Sequence, residues 1–292
     1  MSRRTASRRP SGAGRSRAGA PRGGWLNNTV AVVFCLVWIF PVYWMVNTAF
    51  KPRAEAMTAT PHFWPHSPTL RNFDVAINQS GFLTNLRNSL IVVGCAVVLA
   101  VVLGMFAAAA LTRFRFRGRR AIMVGVLIVQ MLPVTALLIP TFLVFNEINL
   151  VGTHIGLVLA YVATVLPFSI WVMRGFFVTI PVEIEEAARL DGASTWQTLT
   201  RVLFPLVMPG VIASSIFAFI TAWNDYLIAY TFMKDQADYT LPVWLASFET
   251  PTGTDFSSQM AGSLIFSLPV VVFFLLIQRK LVSGMSAGAV KG

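Results

Sequence analysis

The sequence predicts an all-α membrane protein with six transmembrane helices, and three observations support that fold class. First, 55% of the residues are hydrophobic and 12% are charged, whereas about a quarter of an average soluble domain is charged. Second, six apolar runs are long enough to cross a hydrocarbon core of about 30 Å. They lie at residues 29–50, 86–111, 121–145, 155–177, 206–230 and 260–281. Third, the basic residues concentrate in alternate loops.

The distribution of charge predicts the orientation of the spans. Of the 23 Lys and Arg residues, 18 lie in residues 1–28, 112–120, 174–201 and 278–292. Seven of the 12 Asp and Glu residues lie in the other set of loops. Because Lys and Arg resist translocation, both termini are predicted to be cytoplasmic. Six spans independently require the two termini to lie on the same side of the membrane. The net charge of +11 is thereby explained by topology, and nucleic acid is not expected as a partner.

The chain is predicted to form one membrane domain with two tails. Residues 1–28 are rich in Arg, Ser and Gly and contain no acid, which predicts a disordered basic cytoplasmic tail. Residues 29–281 form the six-helix domain, and residues 282–292 form a cytoplasmic C-terminal tail. Alternating Arg and Phe residues at 113–120 resemble a base-stacking platform, but an interfacial anchor is the favoured interpretation beside a span.

The sequence contains little that predicts covalent chemistry in this chain. None of its four lysines follows a glycine, which excludes the usual phosphate-cradling loop, so the chain is not expected to bind ATP. His62 and His66 have the spacing of a zinc helix, but Pro65 interrupts it, and no metal site is predicted. Residues 284–288 match a nucleophile elbow centred on Ser286, but they follow a membrane span instead of a strand. A membrane-embedded enzyme is therefore disfavoured.

Residues 181–204 form a polar, helix-forming loop between two apolar runs, and they predict a helical hairpin. Pro181 suits a first helical position. Three acids near the start of the first helix, Glu183, Glu185 and Glu186, complement its positive end. Gly192 fits the left-handed stop just beyond a helix end. The sequence Ser194 to Gln197 matches a capping box, which begins a second helix predicted to end near Phe204.

The hairpin has the composition of a surface that another protein binds. Ala187 and Ala188 expose little bulk, so a partner can approach their backbone closely. Glu186 and Asp191 supply charge at such a contact. The acids argue against a helix lying on anionic lipid head groups, so a partner outside the membrane is expected.

Three segments of the sequence carry a family resemblance. The spacing of Glu186-Ala187-Ala188, then Gly192, then Val202 to Pro205 resembles the EAA loop of ABC importer permeases, which have Ile and Leu where Val202 and Phe204 stand. Residues 222–227 (AWNDYL) resemble the fifth-span signature of maltose-type carbohydrate permeases. Residues 278–292 also resemble the ending of that family. Together these segments extend the resemblance over almost the whole chain after residue 25.

The resemblance implies a function and a set of partners. The chain would be a permease subunit of the bacterial cytoplasmic membrane. It would form half of the path for a mono- or oligosaccharide, in a heterodimer with a second permease subunit. Two ATP-binding subunits would supply the energy and hold the ATP and Mg, with no cofactor in this chain. An extracytoplasmic sugar-binding protein would deliver the sugar. The residues that would contact an ATPase are Glu186, Ala187, Ala188, Leu190, Asp191, Gly192 and Ala193.

Two other regions have more than one interpretation. Asn224 and Asp225 fall in the outer half of the fifth predicted span, where a lipid-facing acid costs about 2.5–3.5 kcal/mol, so both should face the bundle interior. They would either brace the outer gate, which is favoured, or contact sugar hydroxyls. The acidic outer loop 231–258 is either a solvated connection or a docking surface for the binding protein.

Two alternative functions remain open from the sequence. An ion-coupled secondary transporter needs ionisable residues mid-membrane, and Asp225 is the only acid clearly within a predicted span. An ABC importer for a non-sugar solute differs from the first interpretation in its ligand alone.

Overall fold

The computed structural model describes residues 24–79, 81–250 and 253–289, and these are predominantly helical. The chain divides into two units, residues 1–44 and residues 45–292. The described part of the first unit is the N-terminal portion of helix α1 (Gly24–Ala49). Residues 1–23 of the predicted basic tail lie outside the described residues, whereas residues 24–28 belong to α1.

The described residues contain four uninterrupted helices that are long and apolar enough to cross a membrane. These are α1 from Asn27 onward, α4 (Phe82–Arg113), α7 (His154–Thr179) and residues 256–278 of α14 (Phe256–Ala289). Two further spans are bent pairs: α5 (Arg119–Met131) with α6 (Val134–Glu147) at 108°, and Thr195–Leu206 with α11 (Met208–Trp223) at 69°. Counting each bent pair once gives six spans. The predicted all-α membrane fold is confirmed.

Shorter elements connect the spans. The helical ones are α2 (Arg53–Ala56), α3 (Arg71–Asn78), α8 (Val182–Leu190), α9 (Thr195–Gln197), a π-helical turn (Thr198–Leu203), α10 (Phe204–Leu206), α12 (Leu227–Phe232), a 3-10 turn (Gln236–Asp238) and α13 (Leu241–Ala246). A two-residue antiparallel ladder joins β1 (Glu249–Thr250) to β2 (Gly253–Thr254). The four prolines of residues 51–85 (Pro52, Pro61, Pro65 and Pro68) predict extended or turn structure there. This prediction is wrong for α2 and α3, which form in that segment.

The fifth and sixth spans differ from the predicted ranges. Residues 206–230 were expected to be one continuous span, but α11 ends at Trp223 and α12 begins at Leu227. The side chains of Asn224 and Asp225 bond to nearby backbone groups, and such bonds compete with helix continuation. Helix α14 continues to Ala289, so residues 282–289 of the predicted tail extend the last helix. Residues 290–292 lie outside the described part of the chain.

Small side chains allow helices α4 and α7 to pack closely. Four small residues recur every fourth position on α4 and are all buried: Ala96, Ala100, Gly104 and Ala108. A Cβ atom added to Gly104 would lie 3.1 Å from the Cβ of Ser169 on α7. Rows of small residues at this spacing let two membrane helices approach until their backbones are almost in contact. The two helices therefore form one packed body in the middle of the bundle.

The first turns of α4 hold the loop that follows α12. The amide Nδ2 of Asn88 donates to the carbonyls of Ala237 and Tyr239 at 2.8 and 3.1 Å. The backbone N–H of Leu241 donates to the hydroxyl of Ser89 at 2.6 Å. Both α4 residues are buried, and an unpaired buried polar group is costly. The loop after α12 is consequently fixed to the bundle by specific hydrogen bonds.

Candidate functional site

The hairpin of residues 181–204, hereafter the EAA hairpin, has the turn that the sequence predicts. Gly192 has φ +85°, in the left-handed region. The backbone N–H of Gly192 donates to Arg189, and that of Ala193 donates to Ala188, both at 3.0 Å. These two bonds satisfy free carbonyls at the end of α8 in the Schellman arrangement. The predicted helix stop is confirmed, although Pro181 lies one position before the first residue of α8 instead of opening it.

The second arm of the EAA hairpin begins with the predicted capping box. The hydroxyl of Ser194 accepts from the backbone N–H of Gln197 at 3.3 Å, and the side chain of Gln197 accepts from the backbone N–H of Ser194 at 2.8 Å. The arm continues through the π-helical turn to Leu206, slightly beyond the predicted end at Phe204. A π-helical turn is rare and frequently lies at functional sites.

Most of the residues predicted to contact an ATPase are exposed at the tip of the hairpin. Exposed are Glu186, Ala187, Leu190, Asp191 and Gly192, whereas Ala188 and Ala193 are half-buried. Leu190 is 89% exposed, an unfavourable position for a large apolar side chain unless another surface covers it. Leu190 lies between Arg189 and Asp191 and one turn after Glu186, so the exposed surface combines an apolar side chain with charged ones.

Another face of α8 is attached to the membrane bundle by an ion pair that the sequence alone does not predict. Glu185 is buried and forms an ion pair with Arg113, the last residue of α4. The guanidinium Nη2 of Arg113 also donates to the carbonyl of Ile180, just beyond the end of α7, at 2.9 Å. Successive residues of a helix point roughly 100° apart around its axis. If Glu186 faces a partner outside the bundle, Glu185 must therefore face another direction. The adjacent pair of acids was the one feature of the sequence that could have indicated a buried role for Glu185.

The second arm is attached by aromatic rings. The rings of Trp196 and Phe106 of α4 are stacked, with centroids 5.9 Å apart and 5° between their planes. Phe204 contacts Phe106 edge-on at 5.3 Å, and it also contacts Phe177 of α7 at 6.4 Å. Both arms of the EAA hairpin thus attach to α4 through different chemistry, and the second arm also contacts α7.

The structure places Asn224 and Asp225 at a cavity wall in the break between α11 and α12. The carboxylate of Asp225 accepts from the backbone N–H of Ala229 at 3.1 Å, which caps α12. The amide of Asn224 donates to the carbonyl of Ile220, in the last turn of α11, at 2.8 Å. Both residues, with Tyr226, line a cavity of about 380 Å³.

A second cavity adjoins this one. Its volume is about 350 Å³, and its polar lining comprises Gln130, Thr141, Thr164 and Thr221. The two cavities share Val134, Thr164, Thr221 and Ile228. Together they form a partly polar space among the third, fourth and fifth spans.

A family model described as "binding-protein-dependent transport system inner membrane component" matches residues 100–286. The chain belongs to this family. The matched range contains both the EAA hairpin and the break between α11 and α12. The chain is accordingly a multi-pass inner-membrane permease subunit of a binding-protein-dependent ABC importer, and the alternative of an ion-coupled secondary transporter is set aside.

The predicted resemblance to maltose-type carbohydrate permeases is confirmed by three relatives. The diacetylchitobiose uptake system permease protein DasC of Streptomyces coelicolor is 40% identical over 91% of this chain and 96% of its own. The trehalose transport system permease protein SugB of Mycobacterium tuberculosis is 35% identical over 91% and 96%. The trehalose/maltose transport system permease protein MalG of Thermococcus litoralis is 33% identical over 90% and 95%.

A solved structure has the same fold as this permease. It is a bacterial ABC transporter involved in the import of the acidic polysaccharide alginate, with 22% sequence identity and a TM-score of 0.77. The match covers 92% of this chain and 99% of the other. A second structure, of the bacterial alginate transporter in complex with an alginate pentasaccharide-bound periplasmic protein, matches with a TM-score of 0.66. Both show that the six-span permease fold extends over almost the whole chain.

Proposed function

We propose that this permease carries a mono- or oligosaccharide inward as one half of a heterodimeric channel. Its partners are a second permease subunit, two ATP-binding subunits and an extracytoplasmic sugar-binding protein. The names of the three relatives support a saccharide as the solute, since each describes uptake or transport of a disaccharide. A non-sugar solute is the alternative that the experiment below distinguishes.

The exposed face of the EAA hairpin is the observation that carries the proposed coupling to ATP. Leu190, at the end of α8, is 89% exposed beside Glu186 and Asp191. A groove on an ATP-binding subunit would cover this face, in contact with Glu186, Ala187, Ala188, Leu190, Asp191, Gly192 and Ala193. ATP and Mg are bound by that partner, and closure of the ATPase pair displaces the hairpin. This chain supplies no catalytic residue.

The proposed orientation follows from the distribution of charge. The EAA hairpin and both tails, residues 1–28 and 282–292, are cytoplasmic. Loop 231–258 then lies on the outer side, where the binding protein docks. Its hydrogen bonds to Asn88 and Ser89 support this role, because a fixed loop presents a defined surface to a partner. Lipid surrounds the remaining faces of the bundle.

We assign Asn224 and Asp225 to bracing the translocation path instead of recognising the sugar. Asp225 accepts from the backbone N–H of Ala229, and Asn224 is bonded to Ile220. These bonds engage the side chains in holding α11 and α12 at their break. The cavity wall that they form acts as the outer gate. This gate opens when α11 and α12 move relative to each other.

A thermal-shift screen of the cognate binding protein tests the solute class most directly. The panel contains monosaccharides, disaccharides such as trehalose and maltose, longer oligosaccharides, amino acids and short peptides. We expect stabilisation by a saccharide, and the same saccharide should stimulate ATP hydrolysis by the assembled complex. Stabilisation by amino acids or peptides alone would refute the saccharide assignment while leaving the family membership intact.

A further inference from the structure

We propose that the ion pair between Arg113 and Glu185 is the mechanical joint through which the EAA hairpin moves the membrane bundle. The inference rests on the proposed coupling of this hairpin to an ATPase. It assigns Glu185 and Arg113 as positioning residues, which act on transport without touching either the ATPase or the sugar. The two side chains are 10% and 12% exposed, respectively, so the pair lies largely out of water.

Arg113 joins three elements at one point. It is the last residue of α4, it pairs with Glu185 of α8, and it donates to the carbonyl of Ile180 beyond the end of α7. A guanidinium is a planar group with several fixed donors, so it can hold two acceptors in a defined direction. A force applied to α8 is therefore passed to the ends of two spanning helices at once.

Glu185 differs in this respect from the other acids of the hairpin. Within the described residues, no ion pair involves Glu183, Glu186 or Asp191, and all three are exposed. Removing one partner of a buried ion pair leaves an uncompensated charge in a poorly solvated place. The joint consequently resists separation when the hairpin is displaced, whereas Glu186 and Asp191 are free to meet a partner.

Helix α4 provides a path from this joint to the far side of the bundle. Arg113 lies at its end, and Asn88 near its start holds the loop after α12. At 1.5 Å per residue, Arg113 and Asn88 are about 37 Å apart along the helix axis. A displacement of Arg113 by the hairpin is therefore transmitted over that distance. The row of small residues from Ala96 to Ala108 packs α4 against α7, so the two helices move together.

The aromatic contacts of the second arm complement the joint. Trp196 stacks on Phe106 across flat ring faces. Stacked rings restrict the relative orientation of two side chains less strictly than charge-assisted hydrogen bonds do. The π-helical turn between Trp196 and Phe204 also departs from regular helix geometry. We assign the rigid transmission of force to the first arm and the adaptable contact to the second.

The test compares transport with ATP hydrolysis in the full complex, reconstituted in proteoliposomes with its binding protein. The variants are Glu185→Gln, which removes the charge at almost constant volume, and the exchanged pair Arg113→Glu/Glu185→Arg. The matched control is Glu183→Gln, an exposed acid on the same helix. Assembly of every variant is checked by size-exclusion chromatography before sugar uptake and ATP turnover are measured.

We expect Glu185→Gln to assemble and to hydrolyse ATP, but to transport about tenfold less sugar per ATP, within the range of coupling between distant sites. Glu183→Gln should leave the ratio unchanged, and the exchanged pair should recover at least part of it. An unchanged ratio in Glu185→Gln would overturn the proposal. Parallel loss of transport, hydrolysis and assembly, without recovery in the exchanged pair, would also overturn it, since that outcome indicates a purely structural contact.

The variant Glu186→Lys separates failure of this inference from failure of the proposed function. If Glu186→Lys abolishes ATP-driven uptake while Glu185→Gln remains fully coupled, the hairpin binds an ATPase and the joint is elsewhere. If neither variant affects uptake, the proposed coupling role of the hairpin itself is wrong.

Discussion

Glu185 and Glu186 are neighbours in the chain, but Glu185 is buried in an ion pair with Arg113 and Glu186 is exposed. The two carboxylates therefore lie on different sides of helix α8, one facing the membrane bundle and the other facing outward. This arrangement suits a helix that must be attached to its own subunit while it presents a surface to another.

Leu190 provides a test of the outward face. Replacing it with Asp should weaken binding of the ATP-binding subunits by about tenfold to a hundredfold, because burial of a Leu side chain contributes about 1.5–3 kcal/mol. Folding of the permease should change little, since Leu190 is 89% exposed. Co-purification of the ATP-binding subunits and their affinity for permease in nanodiscs measure the effect. Val182→Ala, also exposed on α8, is the control; equal effects of both changes would contradict a specific contact.

Gly192 tests whether the shape of the turn matters apart from side-chain contacts. It has φ +85°, and no heavy atom lies within 4 Å of a Cβ added there. Gly192→Ala should destabilise the turn by about 1–2 kcal/mol through backbone strain alone. Gly192→Asn should cost less, because Asn tolerates this conformation. Stimulated ATP hydrolysis should follow the order Gly, Asn, Ala, and equal activity of all three would refute the argument.

The close approach of α4 and α7 predicts a large difference between two glycines of the same helix. Gly104→Val should lower the free energy of unfolding of the purified subunit by about 1–3 kcal/mol through overpacking, and its melting temperature should fall. The reason is that a Cβ added at Gly104 already approaches Ser169 to 3.1 Å. Gly94→Ala is the control, since nothing lies within 4 Å of its added Cβ and Ala favours a helix. A melting temperature lowered equally by both changes would exclude close packing as the cause.

Phe106 tests the aromatic attachment of the second arm. Phe106→Ala removes the rings' contacts with Trp196 and Phe204, each worth about 0.5–1.5 kcal/mol beyond area burial. Hydrogen exchange should quicken in residues 195–206 while residues 182–190 keep their protection through Arg113 and Glu185. Phe106→Tyr retains the ring and serves as the control. Uniform exchange across both arms would show that the two attachments are not independent.

Asp225 distinguishes a brace from a sugar ligand. As a brace, Asp225→Ala should destabilise α12 by about 1 kcal/mol through loss of its cap and should slow uptake of every transported saccharide alike. Asp225→Asn keeps an acceptor for the backbone N–H of Ala229 and should be milder. Concentration-dependent uptake of two saccharides measures the effect. A change in apparent affinity for one saccharide, with maximal rate and stability preserved, would favour direct sugar contact.

The features predicted correctly from the sequence are those that depend on neighbouring residues or on composition. The apolar runs specified the spans because backbone groups in lipid must pair within a helix. Gly192 and the pair Ser194 and Gln197 specified the turn because their bonds reach only a few residues along the chain.

The missed features depend on residues distant in sequence or on competing local bonds. The ion pair joins Arg113 to Glu185 from separate elements, so no local pattern specifies it. Similarly, the stacking of Phe106 on Trp196 follows from how α4 meets the hairpin. The break at Asn224 and Asp225 was missed because apolar residues continue on both sides, whereas the side-chain bonds that interrupt the helix are not visible in hydropathy.

The most direct measurement places a photo-crosslinking amino acid at position 190 in the assembled, reconstituted transporter, with position 182 as the control. We expect an adduct between residue 190 and an ATP-binding subunit, with a yield that changes between nucleotide-free and ATP-trapped complexes. Adducts with lipid alone in both nucleotide states, from a complex that still transports sugar, would refute the proposed contact between the EAA hairpin and an ATPase.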